Sequence, residues 1–310
     1  MNGFPARRTR PLLGTYVHVE VIAENATQAE RAIEVAFLRI EAVHQAMSFH
    51  SPDSELSRVN REAHRQPVPV GSDTLAVLRR ALYLARISAG RFDPSIAPHL
   101  VRAALLPAPA PLPEKAGHWS CIQLDEAART VYFSQPLWLD LGGLAKGYAV
   151  DAAIEAMAEH APLRALVNAG GDLRVLNRTP GTPGFPVHLR TPAEARETLP
   201  LGQLDHGALA TSGEILLGRT GRNAGLSPLV DPASGIRPAQ ARSVTVLAPE
   251  CWLADGMTKI VGLLGPDSQP ILDEQDCHAA IIDPAGHLHA SPGFWQAVNR
   301  PHPPGDHPDA

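Results

Sequence analysis

The sequence predicts an α+β fold: largely antiparallel sheets, with helices segregated from the strands. Three observations carry the prediction. Strand-like segments arrive in runs, and no repeated strand–helix alternation of the doubly wound kind is sustained. The helical patterns are segregated from those runs. The chain has 310 residues, 44% apolar and 19% charged, enough to bury a core without covalent staples. No internal repeat is present. The chemistry-bearing turns spread from residue 14 to 255, so 10–298 reads as one functional unit. Residues 299–310 read as a disordered, proline-rich tail.

In chain order, residues 12–22 read as a strand, because Tyr16-Val-His-Val-Glu-Val alternates with period two. Ala26 or Thr27 opens a helix to about Met47, with Ile33, Phe37, Ile40 and Met47 as its apolar stripe. Ser51 is the expected N-cap, with Pro52 behind it, of a short helix through Glu55–Asn60. Ser72 or Asp73 caps a helix carrying Leu75, Leu78, Leu82 and Ala85, and Gly90 stops it. Gly90-Arg-Phe-Asp-Pro94 is a turn, since Pro94 keeps Asp93 out of helical geometry. Pro107-Ala-Pro-Ala-Pro-Leu-Pro113 is a stiff extended connection.

Strands follow at Cys121–Leu124, Thr130–Phe133 and Leu137–Leu141, then a Gly142-Gly143 turn and a helix presenting Val150, Ala153, Ile154 and Met157. Arg164–Asn168, Leu173–Leu176, Val187–Arg190, Ala208–Thr211, Ser243–Ala248 and Ala279–Ile282 are further strands, the last with a turn at Ala285-Gly286. Ala254–Leu264 is a helix with Met257, Ile260, Val261 and Leu264 inward.

Composition excludes several classes. Net charge is −5, from 27 basic and 32 acidic residues, and no basic stripe is present, which argues against nucleic acid. No apolar run approaches the roughly 20 residues of a membrane span. Cys121, Cys251 and Cys277 are an odd number, widely spaced, and read as thiols in a reducing cytoplasm. Arg7, Arg8 and Arg10 precede only three apolar-run residues before Gly14, too few for a secretory signal. The expected location is therefore cytoplasmic.

The segment richest in chemistry is Asp140-Leu-Gly-Gly-Leu-Ala-Lys-Gly-Tyr-Ala-Val-Asp151. A carboxylate ends a strand, two glycines allow close approach, and a helix N-terminus with Lys146 one turn in can meet a phosphate. A phosphate cradle and a plain turn before a helix both fit. Neither the Walker A nor the Rossmann spacing is present. Ala169-Gly-Gly-Asp172 reads most simply as a hairpin turn with an acidic surface residue. Ala210-Thr-Ser-Gly213 is rich in donors but has no nucleophile elbow around it. Asp255 and Lys259 form either a helix-start pair at i,i+4 or part of a hard-cation site. Lysine occurs only at 115, 146 and 259, so two of three lysines sit inside these motifs. The 14 histidines include no metal-binding helix motif, and His287 and His289 read as scattered.

Taken in order, Leu13-Gly-Thr15, Met47-Ser48 with Ser54-Glu-Leu-Ser-Arg-Val-Asn60, Gly90–Pro94, Asp140–Asp151, Asn168-Ala-Gly-Gly-Asp172, Ala210–Gly213, Val230-Asp-Pro-Ala-Ser-Gly235 and Ser243-Val-Thr-Val with Ala254-Asp255 resemble the ApbE family of FAD:protein FMN transferases. The likeness covers about residues 10–265. It implies binding of FAD and Mg²⁺, and transfer of FMN to a Thr or Ser hydroxyl of an acceptor protein with release of AMP. By motif position, Asp140 and Lys146 contact FAD. Arg91, Phe92 and Asp93 line the flavin site, with Leu13 and Phe49 packed beside it and Leu229 near a further contact. The Gly143 carbonyl and the Asp255 side chain are the implied magnesium ligands.

Three residues depart from the family pattern. Lys259 stands where the family has a Thr or Asp metal ligand, with Thr258 one place early. An ammonium cannot ligate a cation, so Lys259 either reaches the pyrophosphate or pairs with Asp255, taking over part of a metal's charge, unless Thr258 supplies the ligand. Asp255, Lys146 and Lys259 are on this basis the expected catalytic set. Pro228 stands where the family often has a histidine three residues before Asp-Pro, leaving Asp231 or a metal-bound hydroxide as the proton acceptor. Leu13 replaces a methionine, a nearly volume-conserving change. Two competing readings are a pyrophosphatase that splits FAD to FMN and AMP, and a non-catalytic FAD-binding relative.

Overall fold

An eight-stranded antiparallel sheet organises the chain. In a computed structural model, residues 3–109, 117–190, 198–213, 229–237, 243–283 and 285–298 are described. The elements in chain order are β1 (Phe4–Leu12), β2 (Thr15–Ala23), α1 (Ala26–Met47), α2 (Glu55–Glu62), β3 (Val68–Pro69), α3 (Ser72–Ile87) and α4 (Ala97–Arg102). Then come β4 (Ile122–Asp125), β5 (Thr130–Phe133), α5 (Ala145–Ala158), β6 (Arg164–Ala169), β7 (Asp172–Asn177), β8 (Phe185–Arg190), β9 (Thr198–Leu204) and β10 (Gly207–Gly213). The last are β11 (Ser243–Ala248), α6 (Cys251–Leu264), α7 (Gln269–Glu274), β12 (His278–Ile282), β13 (Leu288–Ala290) and α8 (Phe294–Ala297). The large sheet runs β1-β2-β6-β7-β10-β11-β12-β13, beside a three-stranded β3-β5-β4 sheet and a β8-β9 hairpin. Among the described residues no helix is long and apolar enough to cross a membrane.

Period-two alternation sorts the sheet's side chains into two cores. Val17, Val19 and Val21 of β2, Ala165 and Val167 of β6, and Val244 and Val246 of β11 face one core with the stripes of α1, α5 and α6. Leu173 and Val175 of β7, Leu209 of β10 and Leu247 of β11 face a smaller core with β8, β9 and Phe294 of α8. Every residue of β11 is buried, because both faces of the sheet are covered there.

Several local expectations need correction. The first strand is a hairpin: β1 pairs residue for residue with β2 from Phe4↔Ala23 to Leu12↔Thr15. Alternation missed β1 because it is an exposed, charged edge strand, tied to α1 by Arg8–Glu30 at 2.7 Å and Arg10–Glu34 at 3.3 Å. Ser54, not Ser51, caps α2, its Oγ accepting from the Ser57 N–H. Gly71, not Ser72 or Asp73, is the N-cap of α3. The Glu55 carboxylate accepts the Gly71 N–H in place of a local cap, and Asp73 pairs with Arg39 instead.

Leu137–Leu141 joins no ladder. Its alternate leucines are buried, but the side chain of Asn60 brackets the Leu139 backbone at 2.7 and 3.0 Å, and Asp140 N–H donates to the Pro94 carbonyl. Helix α6 starts at Cys251 rather than Ala254, because Asp151 accepts from the Cys251 and Trp252 N–H groups, both at 2.8 Å. Strand β9, which the sequence did not announce, pairs with β8. Part of the Pro107–Pro113 connection and the expected tail at 299–310 lie outside the described residues.

Candidate active site

The β1–β2 hairpin closes on a two-residue turn, Leu13-Gly14, with φ of +56° and +72°. Positive φ at both positions is the type I′ geometry that matches the twist of the paired strands. This turn forms one wall of a cavity of about 710 Å³. The C-terminal end of α1, the turn after α3, the start of α5, and residues 229–232 supply the other walls. That volume is in the range of small-molecule and cofactor sites.

The cavity gathers ten of the twelve residues expected from sequence: Leu13, Phe49, Arg91, Phe92, Asp93, Asp140, Gly143, Lys146, Leu229 and Lys259. Its apolar lining includes Leu13, Met47, Phe49, Phe92, Ile96 and Leu100. Charged groups cluster at the start of α5. The other two expected residues, Asp255 and Thr258, do not reach the cavity. Both lie inside α6, at 0% and 1% exposure. The Thr258 hydroxyl donates to the Asp255 carbonyl of its own helix at 2.7 Å.

A chain of alternating charges links the interior to the cavity. Lys146 Nζ bonds Asp172 Oδ2 and lies 3.4 Å from Asp255 Oδ2. Lys259 Nζ bonds Asp255 Oδ1 and, at 3.0 Å, the Asp255 main-chain oxygen. The Gly147 N–H donates to Asp255 Oδ2 at 3.1 Å. Gly147 is required there: a Cβ would stand 2.3 Å from the Cys251 carbonyl oxygen, so only glycine lets α5 approach the start of α6.

The electrostatics follow from burial and pairing. Burial alone would pull Lys146 down, but Asp172 and Asp255 overcome it and hold the ammonium above the usual lysine range. Burial favours the neutral acid at Asp255, and Lys146, Lys259 and the Gly147 N–H outweigh it, leaving the carboxyl below its ordinary value. At Asp172 burial and the neighbouring Asp255 win over Lys146, and the carboxyl is raised. Burial pushes Asp140 up to about 6 against the opposing Gly142 N–H. It raises Asp93 too, although Ser95 donates to that carboxylate through both N–H and hydroxyl at 2.7 Å.

Asp172 is not the surface acid expected of its turn. It is 3% exposed, because the Ala169↔Asp172 register of the β6–β7 hairpin aims it at Lys146. Gly170 and Gly171 make that turn and do not line the cavity. Ser212 of β10 does line it, as its donor-rich segment allowed. Arg91 also reaches Asp231 at 3.6 Å, linking the cavity wall to the Val230–Gly235 loop. Ser227 and Pro228 lie outside the described residues. His287 and His289 both face Asp283 on the surface.

The magnesium that the resemblance implies would meet donors that are already engaged. Asp255 has both carboxylate oxygens engaged by ammonium groups, and Thr258 is turned into its helix. A dication about 4 Å from one ammonium would be repelled by about 8 kcal/mol at an effective dielectric of about 20. The residues as arranged do not fit Mg²⁺.

The profile of the ApbE family matches residues 13–282. An FAD:protein FMN transferase of Vibrio cholerae is 27% identical over 271 residues, covering 83% of this chain and 80% of its own. One of Treponema pallidum is 27% identical over 327 residues, covering 94% and 88%. The solved flavin transferase ApbE from Vibrio cholerae has the same fold, with a TM-score of 0.79 at 23% identity over 94% of this chain and 98% of that one. The ApbE protein from Thermotoga maritima superposes with a TM-score of 0.78 at 22% identity over 95% and 99%. The chain belongs to the ApbE family.

Proposed function

We propose that this chain is an FAD:protein FMN transferase that moves FMN from FAD to a Thr or Ser hydroxyl of an acceptor protein and releases AMP. The observation that carries the reading is the cavity itself, which is lined both by apolar Leu13, Met47, Phe49 and Phe92 and by the cations Lys146 and Lys259. FAD has the matching polarity: a flat ring system and an anionic pyrophosphate. Leu13, Phe49, Phe92 and Leu229 surround the flavin, with Arg91, Asp93 and Asp140 as its polar neighbours. Lys146 and Lys259 meet the pyrophosphate.

In this reading the acceptor oxygen attacks the flavin-side phosphorus. The new O–P bond forms as the bridging P–O bond breaks, AMP leaves with the bridging oxygen and its electron pair, and the hydroxyl proton goes to solvent. Such a reaction asks the protein mainly for positioning and charge neutralisation. Lys146 and Lys259 are the catalytic residues, and Asp255 and Asp172 position them. Magnesium is left out of the reading, on the ground that Lys259 fills the place it would take. The three cysteines are free and buried, in keeping with a reducing compartment, and the cytoplasm is the proposed setting.

The test is product analysis of the purified chain with FAD and a panel of flavin-acceptor domains. AMP together with flavin fluorescence on the denatured acceptor supports the reading. AMP with free FMN and no labelled acceptor would point to hydrolysis, and intact FAD throughout would point to a binding protein.

A further inference from the structure

We infer that Lys259 replaces the divalent cation of this site, so that the chain handles FAD without a metal. The inference rests on the transferase reading above for its reaction and on the following geometry for the lysine.

Asp255 is the acid that could anchor a cation, yet its side chain is fully buried and does not line the cavity. What α6 presents to the cavity is Lys259, one turn on. Its ammonium is held by two oxygens of one residue, Asp255 Oδ1 and the Asp255 carbonyl. Two of its three N–H bonds are thereby fixed, and one remains for a ligand. The stem of Lys259 runs beside Gly143, where a Cβ on that glycine would stand 3.7 Å from Lys259 Cε. The side chain of Lys259 thus runs past Gly143 and ends on Asp255. Thr258 is 1% exposed and does not line the cavity.

Side-chain usage points the same way. Of 27 basic residues only three are lysine, and both lysines among the described residues line this cavity. A compact ammonium is the protein group nearest to a point charge, whereas a guanidinium spreads its charge over a planar fork. Asp172 and Asp255, both buried, hold the two partly exposed ammonium groups of Lys146 and Lys259 in place before FAD arrives.

The experiment compares the full chain in excess chelator and in Mg²⁺, reading FAD affinity by flavin fluorescence and FMN transfer to an acceptor domain. Both quantities are expected to agree within about threefold between the two conditions. A larger loss in chelator, restored by Mg²⁺, would overturn the inference. The variant Lys259→Thr returns a hydroxyl to the position and frees Asp255 Oδ1. It is expected to bind FAD at least about tenfold more weakly in chelator and to recover with Mg²⁺. A Lys259→Thr variant that binds FAD in chelator as tightly as the parent would also overturn it. If no acceptor receives FMN in either condition, the transferase reading fails. FAD affinity, which needs no acceptor, then still decides the role of Lys259.

Discussion

Lys259 Nζ is held by the carboxylate and, at 3.0 Å, by the main-chain oxygen of Asp255, the residue four places before it in α6. One acid therefore fixes the cation of the next turn, and Lys146 holds the same acid from α5. The pairing turns an acid that is expected to bind metal into one that orients ammonium groups. Its consequences reach the stability of the fold as well as its chemistry.

Lys146→Met should destabilise the chain and weaken FAD binding. It leaves Asp172 and Asp255 buried without their shared cation, and breaking such a pair costs about 3–5 kcal/mol. Lys146→Met/Asp172→Asn should recover at least about 1 kcal/mol of that loss, since it removes one stranded charge. Chemical denaturation of the two variants measures both values. Equal stability of the single and double variants would contradict the coupling.

Gly147→Ala should be destabilising by about 3 kcal/mol, because its Cβ would collide with the Cys251 carbonyl and force α5 away from α6. FAD affinity should fall with it, as the Gly147–Asp255 hydrogen bond is lost. Thermal melts and flavin titration check the pair of effects.

Leu13→Asn should separate stability from binding. Leu13 holds a φ of +56°, which disfavours an ordinary side chain, and Asn-Gly is the preferred type I′ pair. The melting temperature should rise while FAD affinity drops several-fold, because an apolar wall of the cavity is gone. A variant that loses stability, or keeps full affinity, contradicts the role given to this turn.

Much of this architecture could be read from the sequence, and the failures have physical causes. Helix α1 and strand β11 were legible because their apolar residues repeat with the period of the element that buries them. Strand β1 was not, since an edge strand that stays in water carries arginine where a core strand carries valine. Leu137–Leu141 shows the converse error. Its alternation is real and its leucines are buried, but Asn60, far away in sequence, satisfies part of its backbone. At the site, the motif residues of the cavity wall were all legible. Asp172 was not, because its burial depends on the β6–β7 register and on α5 lying across it. The capping of α6 by Asp151 was hidden for the same reason, as its partners lie about one hundred residues away.

The pH dependence of stability should carry the signature of Asp140. Its folded carboxyl titrates at about 6, raised by burial from 3.8. Below the unfolded value both states are protonated, and the group contributes nothing. As pH rises from about 4 to 6 the unfolded state ionises first, so stability is lost, and the loss is complete above about 7. Asp140→Asn removes this contribution. The melting temperature of the variant relative to the parent, without FAD, should rise between about pH 4 and 6 and then level off. A difference that does not change with pH would contradict the raised carboxyl.

The most direct test of the account is the stoichiometry of its reaction. AMP is measured by chromatography and the acceptor peptide by mass spectrometry in one incubation with FAD. One AMP is expected for each acceptor that gains the mass of FMN less one water, on a Thr or Ser. AMP released with an unmodified acceptor and free FMN, or FAD left intact beside every acceptor tried, would contradict it.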